Sequence, residues 1–442
     1  MDSARKTAVK ILKEVFCEDS YSNIVLGKEL NKSSMNNKDK ALTTEIVYGT
    51  LKYKDTIDII LSYYIKSGLK KLDIDILNIL RISIYQIRYL DKIPEFAVVN
   101  EAVELAKRRA VKSARLVNGV LRNYLRNSNI DYYKKSNNIE KLCFEYSFPK
   151  WMVNLFNNQY GKEQTKNILQ GLNEVPKVTV RVNNLKTNYE EAWEKLLENG
   201  YDIEEGRICP EAIIINKGKN IENNPLFKDG LITVQDESAM MVAPSMELQE
   251  NMTVLDLCSA PGGKTCHIAE IINNSGKIFA FDIHENKLPL IKENANRLGI
   301  TNIKCTSLDA CNYMNIYEEK GDRVLIDVPC SGLGIIRKKP EIKWNKSEES
   351  LKSLIKIQRK IMLNAAKYVK EGGKLIYATC TLNKEENEEN IKWFVKKRPD
   401  FQIEPIYYGK LDNIIYDKEG YMTILPNKYM DGFFIAKMIR RR

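Results

Sequence analysis

From Ser3 to about Arg126, apolar residues recur at intervals of three and four, as in Ala8, Ile11, Leu12, Val15 and Phe16 and again in Leu77, Leu80, Ile84 and Ile87. That period places them on one face of successive helices. Glycine is sparse over this stretch and Pro94 is its only proline, so residues 1–127 are expected to form an all-α domain. Residues 128–147, Ser/Asn-rich and mixed in charge, read as a linker running into Phe148-Pro149-Lys150-Trp151. The period then changes. Val178, Val180 and Val182 alternate as in a strand ending at Arg181-Val182-Asn183, residues 190–197 read as a helix, and Ile213-Ile214-Ile215 as a further strand. Residues 148–235 therefore read as a small α+β subdomain.

Over residues 236–442 strands and helices alternate. The apolar run Met252-Thr253-Val254-Leu255 ends at Asp256, residues 277–281 end at Asp282, and Thr306-Ser307-Leu308 precedes Asp309. Residues 323–326 end at Asp327, and residues 374–378 at Thr379-Cys380-Thr381. Such alternation gives a Rossmann-like α/β domain, a mostly parallel sheet with helices on both faces and ligands beyond the carboxyl ends of its strands. An acid or a thiol stands at each of those ends.

Length and charge add to this picture. At 442 residues the chain suits two or three domains. Its net charge of +11 favours polyanions through phosphate contact and counterion release. Between residues 101 and 126, Lys107, Arg108, Arg109, Lys112, Arg115, Arg122 and Arg126 face only Glu101 and Glu104. On a continuous helix, Arg108, Lys112, Arg115, Arg122 and Arg126 share one face; a break near Ala110 would end that stripe. Nine cysteines without a CxxC pair or a close Cys/His set read as reduced thiols, with no metal site and no disulfide framework expected. Without a secretory signal or an apolar run of about 18 residues, the expectation is a cytoplasmic protein away from membranes.

The stretch Asp256-Leu257-Cys258-Ser259-Ala260-Pro261-Gly262-Gly263-Lys264-Thr265 joins a strand to a helix through small residues, a turn that lets backbone N–H groups approach a polar ligand closely. A phosphate-binding P-loop would need glycine where Cys258 stands. Asp282, one strand later, sits where an acid meets ribose hydroxyls, or where it caps the next helix. Asp309 is placed to receive an adenine amino group, or again to cap. A free cysteine is ordinarily a small hydrophobe. Cys330 in Asp327-Val328-Pro329-Cys330-Ser331-Gly332 and Cys380 in Ala378-Thr379-Cys380-Thr381, both at strand mouths, point instead to thiol chemistry. His267 and His284 are the only histidines, so imidazole-based triads have few possible members.

The motifs DLCSAPGGKT, DVPCSG, ATCT and the closing Asp431-Gly432-Phe433-Phe434, with Asp282 between them, resemble those of RNA cytosine carbon-5 methyltransferases, which use S-adenosylmethionine. Residues 98–107 and 116–121 resemble the signature of NusB, a small helical RNA-binding protein. The two together are similar to a bacterial group that methylates 16S ribosomal RNA. This resemblance implies Cys380 as the nucleophile that adds to carbon 6 of cytosine, and Cys330 as the group that takes the carbon-5 proton or otherwise assists release. It implies Asp327 as a contact to cofactor and base, and Cys258, Ser259, Ala260, Pro261, Gly262, Gly263, Lys264, Asp282, Asp309 and Asp327 as the S-adenosylmethionine site. The partner implied is 16S rRNA, in a loop or flipped out of its stack, with no obligate protein partner. Ser259 and Lys287 depart from the alanine and arginine common in the family. DNA cytosine methyltransferases attack with a Pro-Cys cysteine, which would make Cys330 the nucleophile. An inactive RNA-binding assembly or antitermination factor is the alternative from another class, and the presence of both thiols and every cofactor acid opposes it. Glu385, Glu386, Glu388 and Glu389 read as acids capping a helix. Trp344 and Trp393 read as packing residues, although Trp344 has basic neighbours and could stack on a base.

Overall fold

The structure, a computed structural model, describes residues 3–18, 20–127, 130–133 and 137–441. The chain divides into two compact units, Met1–Asn173 with Ile336–Lys346, and Glu174–Ile335 with Ser347–Arg442.

The first unit is helical. Its helices are α1 (Ala4–Cys17), α2 (Ser22–Lys32), α3 (Asn37–Lys52), α4 (Lys54–Tyr64), α5 (Ile74–Tyr89), α6 (Glu95–Lys107), α7 (Val111–Arg126), α8 (Asn138–Tyr146) and α9 (Lys150–Gly171). Side-chain oxygens of Ser3, Asn36 and Asp73 cap α1, α3 and α5, each accepting backbone N–H groups that have no partner inside the helix. The core forms around α5, in which every residue from Ile76 to Gln86 is buried.

Two expectations change here. The chain breaks between α6 and α7 with Ala110 fully extended, and Arg109 turns to the buried Asp75 carboxylate. The five-residue basic stripe is therefore lost as a continuous face. Lys112, Arg115, Arg122 and Arg126 remain exposed together on α7, opposite buried Ala114, Val117, Val120, Leu121 and Tyr124. The stretch read as a linker contains α8, started by a reciprocal Asn137–Glu140 capping box and held by Cys143 and Phe144 in the core. Residues 128, 129 and 134–136 of that stretch lie outside the described residues.

Ile336–Lys346 closes this unit. Glu341 accepts hydrogen bonds from the Ser22 backbone N–H (3.0 Å) and hydroxyl (2.8 Å) at the start of α2. Lys343 is buried and donates to the carbonyls of Lys52 and Ser147, both at 3.0 Å, where α3 and α8 end. Burial pushes its ammonium well below the ordinary lysine range. Trp344 donates its indole N–H to Leu51 O at 2.9 Å, so its role here is packing.

The second unit opens with an antiparallel sheet of order β2-β3-β1-β4, from β1 (Val178–Val182), β2 (Asp202–Glu205), β3 (Ala212–Lys217) and β4 (Ile232–Val234). Helix α10 (Tyr189–Glu198) buries Ala192 and Leu196 in one cluster with Val180 and Val182. A nine-stranded sheet follows, from β5 (Thr253–Asp256), β6 (Lys277–Asp282), β7 (Ile303–Ser307), β8 (Gly321–Asp327), β9 (Val369–Thr379), β10 (Phe401–Glu404), β11 (Ile414–Tyr416), β12 (Met422–Ile424) and β13 (Phe433–Arg440). Strands β7-β6-β5-β8-β9 run parallel, while β13 pairs antiparallel with β9 and β10 to β12 add further antiparallel edges. The sheet is thus mixed, its parallel core holding the strand ends singled out above. The chain moves outward through β6 and β7 on one side of β5 and through β8 and β9 on the other. That reversal leaves a crevice beyond the carboxyl ends of β5 and β8.

Candidate active site

Asp256 ends β5 with its carboxylate inside the protein, accepting the Thr265 hydroxyl at 2.7 Å. Burial pushes its carboxyl up to about 7, and the neighbouring Asp327 charge adds to the shift. The loop that follows is tied to β6. Ser259 gives both its backbone N–H and its hydroxyl to Phe281 O at 2.8 Å, and Ala260 N–H points to an Asp282 carboxylate oxygen at 3.3 Å. The serine that departs from the family pattern thus adds a loop-to-strand bond that alanine cannot make. Gly262 has φ +101°, and a Cβ there would lie 3.1 Å from Ile291 Cα, which is why the turn needs glycine. Helix Gly263–Ile271 begins immediately afterwards.

A cleft of about 270 Å³ opens beside this loop. Cys258, Ala260, Asp282, Asp309 and Asp327 line it, with His284 and Lys287 at one side and Leu257, Leu308, Ala310, Pro329, Ile357 and Ile361 as apolar walls. Ser259, Pro261, Gly262 and Gly263 shape the turn and do not line the cleft. Asp282 also accepts His284 N–H at 2.9 Å and Asp309 accepts Cys311 N–H at 2.8 Å, so each acid shapes its own turn while facing the cleft. Burial and the charges of Asp256, Asp327 and Asp282 hold the Cys258 thiol far above its ordinary range, which leaves it an unreactive wall.

Lys264 reaches across to Asp327 at 2.6 Å and lies over the Phe433 ring at 5.2 Å. Burial is the largest effect and would lower its ammonium, but Asp327, with Cys380 and Asp256 adding to it, keeps it above its usual value. Parallel pairing sets Asp327 of β8 opposite Ala378 of β9, so the two loops leave the sheet side by side. Cys330 Sγ and Cys380 Sγ, 50 residues apart in sequence, come to 3.4 Å. The hydrogen bond with Cys380 and then burial push the Cys330 thiol well up.

Three family models match the chain: "16S rRNA methyltransferase RsmB/F" over residues 243–439, "NusB family" over 2–126, and the RsmF/B-like ferredoxin-like domain over 148–222. The chain is 37% identical to a probable ribosomal RNA small subunit methyltransferase B of Bacillus subtilis and 35% identical to that of a Synechocystis species, with 99% of each chain covered in both comparisons. The chain belongs to the RsmB/F methyltransferase family. A solved structure, the crystal structure of PH0851, superposes with a TM-score of 0.84 at 27% identity, covering 100% of this chain and 99% of that one.

Two buried residues that contact the loops of the candidate site were not singled out as functional in the sequence. Glu386, grouped with the helix-capping acids, precedes helix Glu388–Lys397 and is fully buried. It accepts from Ser331 N–H and Gln358 Nε2, both at 2.9 Å, from the Ser331 hydroxyl, and from Asn383 Nδ2 at 3.2 Å. Arg181 at the end of β1 is also fully buried; its guanidinium forks onto Glu270 at 2.7 and 2.9 Å and reaches Gly263 O at 3.3 Å. A charged residue among the alternating valines of a strand was the available signal for Arg181. Glu386 carried no such signal among its acidic neighbours.

Proposed function

We propose that this protein, an S-adenosylmethionine-dependent rRNA methyltransferase by family, methylates carbon 5 of a cytosine in 16S rRNA through a covalent adduct between Cys380 and carbon 6. The observation that carries this reading is the 3.4 Å pairing of Cys330 and Cys380 at the mouths of neighbouring strands, beside Asp327 and Lys264.

The cleft's residues fit the cofactor by their chemistry. Three strand-end carboxylates and apolar walls suit a cationic nucleoside whose hydroxyl and amino groups donate hydrogen bonds. Asp282 would take the ribose hydroxyls, Asp309 the adenine amino group, and Asp327 would lie nearest the reacting end. When bound, the cofactor supplies a methyl group on a sulfonium.

Carbon 5 of cytosine is a weak nucleophile, and a sulfur adding at carbon 6 turns the ring into an enamine that is a strong one. Two thiols in contact share one proton favourably. The 3.4 Å contact allows either sulfur to hold that proton; in the proposed step Cys330 keeps it and Cys380 attacks carbon 6 as the thiolate. Asp327 stabilises the adduct by favouring protonation at ring nitrogen 3, with Lys264 keeping its carboxylate in place. Once Cys380 is a thioether, its negative charge no longer faces Cys330, which then ionises and gives its proton to solvent. Cys330 takes the carbon-5 proton, that electron pair restores the ring double bond, and the bond to carbon 6 breaks to return Cys380 as thiolate. One proton leaves to solvent per methyl group transferred.

Methyl transfer to 16S rRNA made without modification enzymes, followed with labelled S-adenosylmethionine, tests this. Cys380→Ala abolishes transfer. Cys330→Ala accumulates a protein–RNA adduct on a denaturing gel. An adduct formed by Cys380→Ala instead would give the nucleophilic role to Cys330.

A further inference from the structure

Each active-site cysteine has a hydroxyl neighbour, and the two hydroxyls meet: Ser331 Oγ and Thr381 Oγ1 are 2.7 Å apart. Ser331 also contacts Glu386 through its hydroxyl and, at 2.9 Å, its backbone N–H. Gln358 extends the grip, its amide nitrogen donating both to Glu386 and, at 3.0 Å, to Pro329 O. One buried carboxylate therefore holds the residues on both sides of Cys330, directly on one side and through Gln358 on the other. The same side chain is anchored in the turn that follows Cys380-Thr381, where Asn383 Nδ2 donates to it at 3.2 Å. Gly334 N–H to Cys380 O, at 2.9 Å, adds a backbone bond between the loops. The four donors on Glu386 are all uncharged, so no adjacent cation among them neutralises its charge.

We propose that Glu386 is the positioning residue of the thiol pair, clamping the Cys330 loop against the Cys380 loop so that Cys330 faces carbon 5 of the adduct when the product must leave. A buried carboxylate with several donors is rigid, and a base must lie within hydrogen-bond reach of the proton it takes. The Glu386 charge also faces Cys330, adding to the effects of Cys380 and burial that keep that thiol protonated until Cys380 is consumed. Glu386 touches neither substrate nor cofactor; it acts through Ser331 and Gln358.

This inference rests on the assignment of Cys380 as nucleophile and Cys330 as the releasing group, and the test separates the two ideas. Full-length Glu386→Gln, nearly isosteric, is compared with wild type, Cys330→Ala and Glu386→Gln/Cys380→Ala for methyl transfer, cofactor binding and adduct formation on unmodified 16S rRNA. The expected result is a turnover at least tenfold lower, unchanged cofactor binding, and an adduct that accumulates as in Cys330→Ala and vanishes in the double variant. Ser331→Ala should shift the same partition, and combining it with Glu386→Gln should add little. Undiminished turnover would overturn the proposal, as would a parallel loss of melting temperature, cofactor binding and adduct, which marks a merely structural residue. If Cys330→Ala itself accumulates no adduct, the underlying assignment fails, whatever Glu386→Gln does.

Discussion

Burial decides which acids in this protein are ordinary and which are poised. Glu388 opens its helix as an acid favoured by the helix dipole, yet its side chain is buried and one carboxyl oxygen has no hydrogen-bond partner. Burial pushes its carboxyl up to about 7, with Lys384 and Lys392 opposing the shift and Asp417 adding to it. The native state therefore keeps a proton that the unfolded chain loses above about 4.5. Since stability rises with pH only where the unfolded state binds more protons, this group makes the protein less stable as pH climbs from about 4.5 to 7, by up to ~3 kcal/mol. Thermal melts should show Glu388→Gln nearly matching wild type at pH 5 and exceeding it at pH 8. An equal offset at both pH values would remove Glu388 as the cause. Asp256, also raised to about 7, adds a similar slope that this substitution leaves in place.

Among the elements, the small antiparallel sheet supports the loop of residues 256–265 and the helix that follows it. Arg181 leaves β1 to hold Glu270 and Gly263 O, at the two ends of helix Gly263–Ile271. Removing one partner of a buried ion pair strands the other charge, so Arg181→Met should cost about 3–5 kcal/mol in denaturant unfolding. Replacing both, as Arg181→Met with Glu270→Leu, should recover most of that loss. A double variant no more stable than the single one would show that the pair's charge is not what matters. His267 lies on the same helix and meets Glu211 of the strand-bearing subdomain at 3.0 Å. Burial and then Arg181 lower its pKa, making it a neutral structural histidine.

For the whole molecule, the excess of positive charge has a concrete location on α7, which carries four exposed cations and no acid. If Lys112, Arg115, Arg122 and Arg126 each meet a phosphate, replacing all four by alanine should weaken binding to 16S rRNA. It should also make the slope of log affinity against log salt shallower by about 3. The salt series on the full chain checks this, and an unchanged slope would place the RNA contacts elsewhere. These positions are exposed, so the melting temperature should move little.

The local period of apolar residues was enough to read helices to residue 126, the alternating subdomain and the strand ends at Asp256, Asp282, Asp327 and Thr379, because each depends on neighbours a few positions away. Residue types at those ends also pointed to the candidate site, since strand ends in such sheets are where ligands sit. The break at Ala110, helix α8 in the supposed linker and the antiparallel β13 were less legible, because a buried Asp75, a core around Phe144 and pairing with β9 decided them. The contact between Cys330 and Cys380, the clamp at Glu386 and the anchor at Arg181 belong to tertiary structure alone. They join residues 50, 55 and 89 positions apart through strand order and burial, which no local pattern encodes.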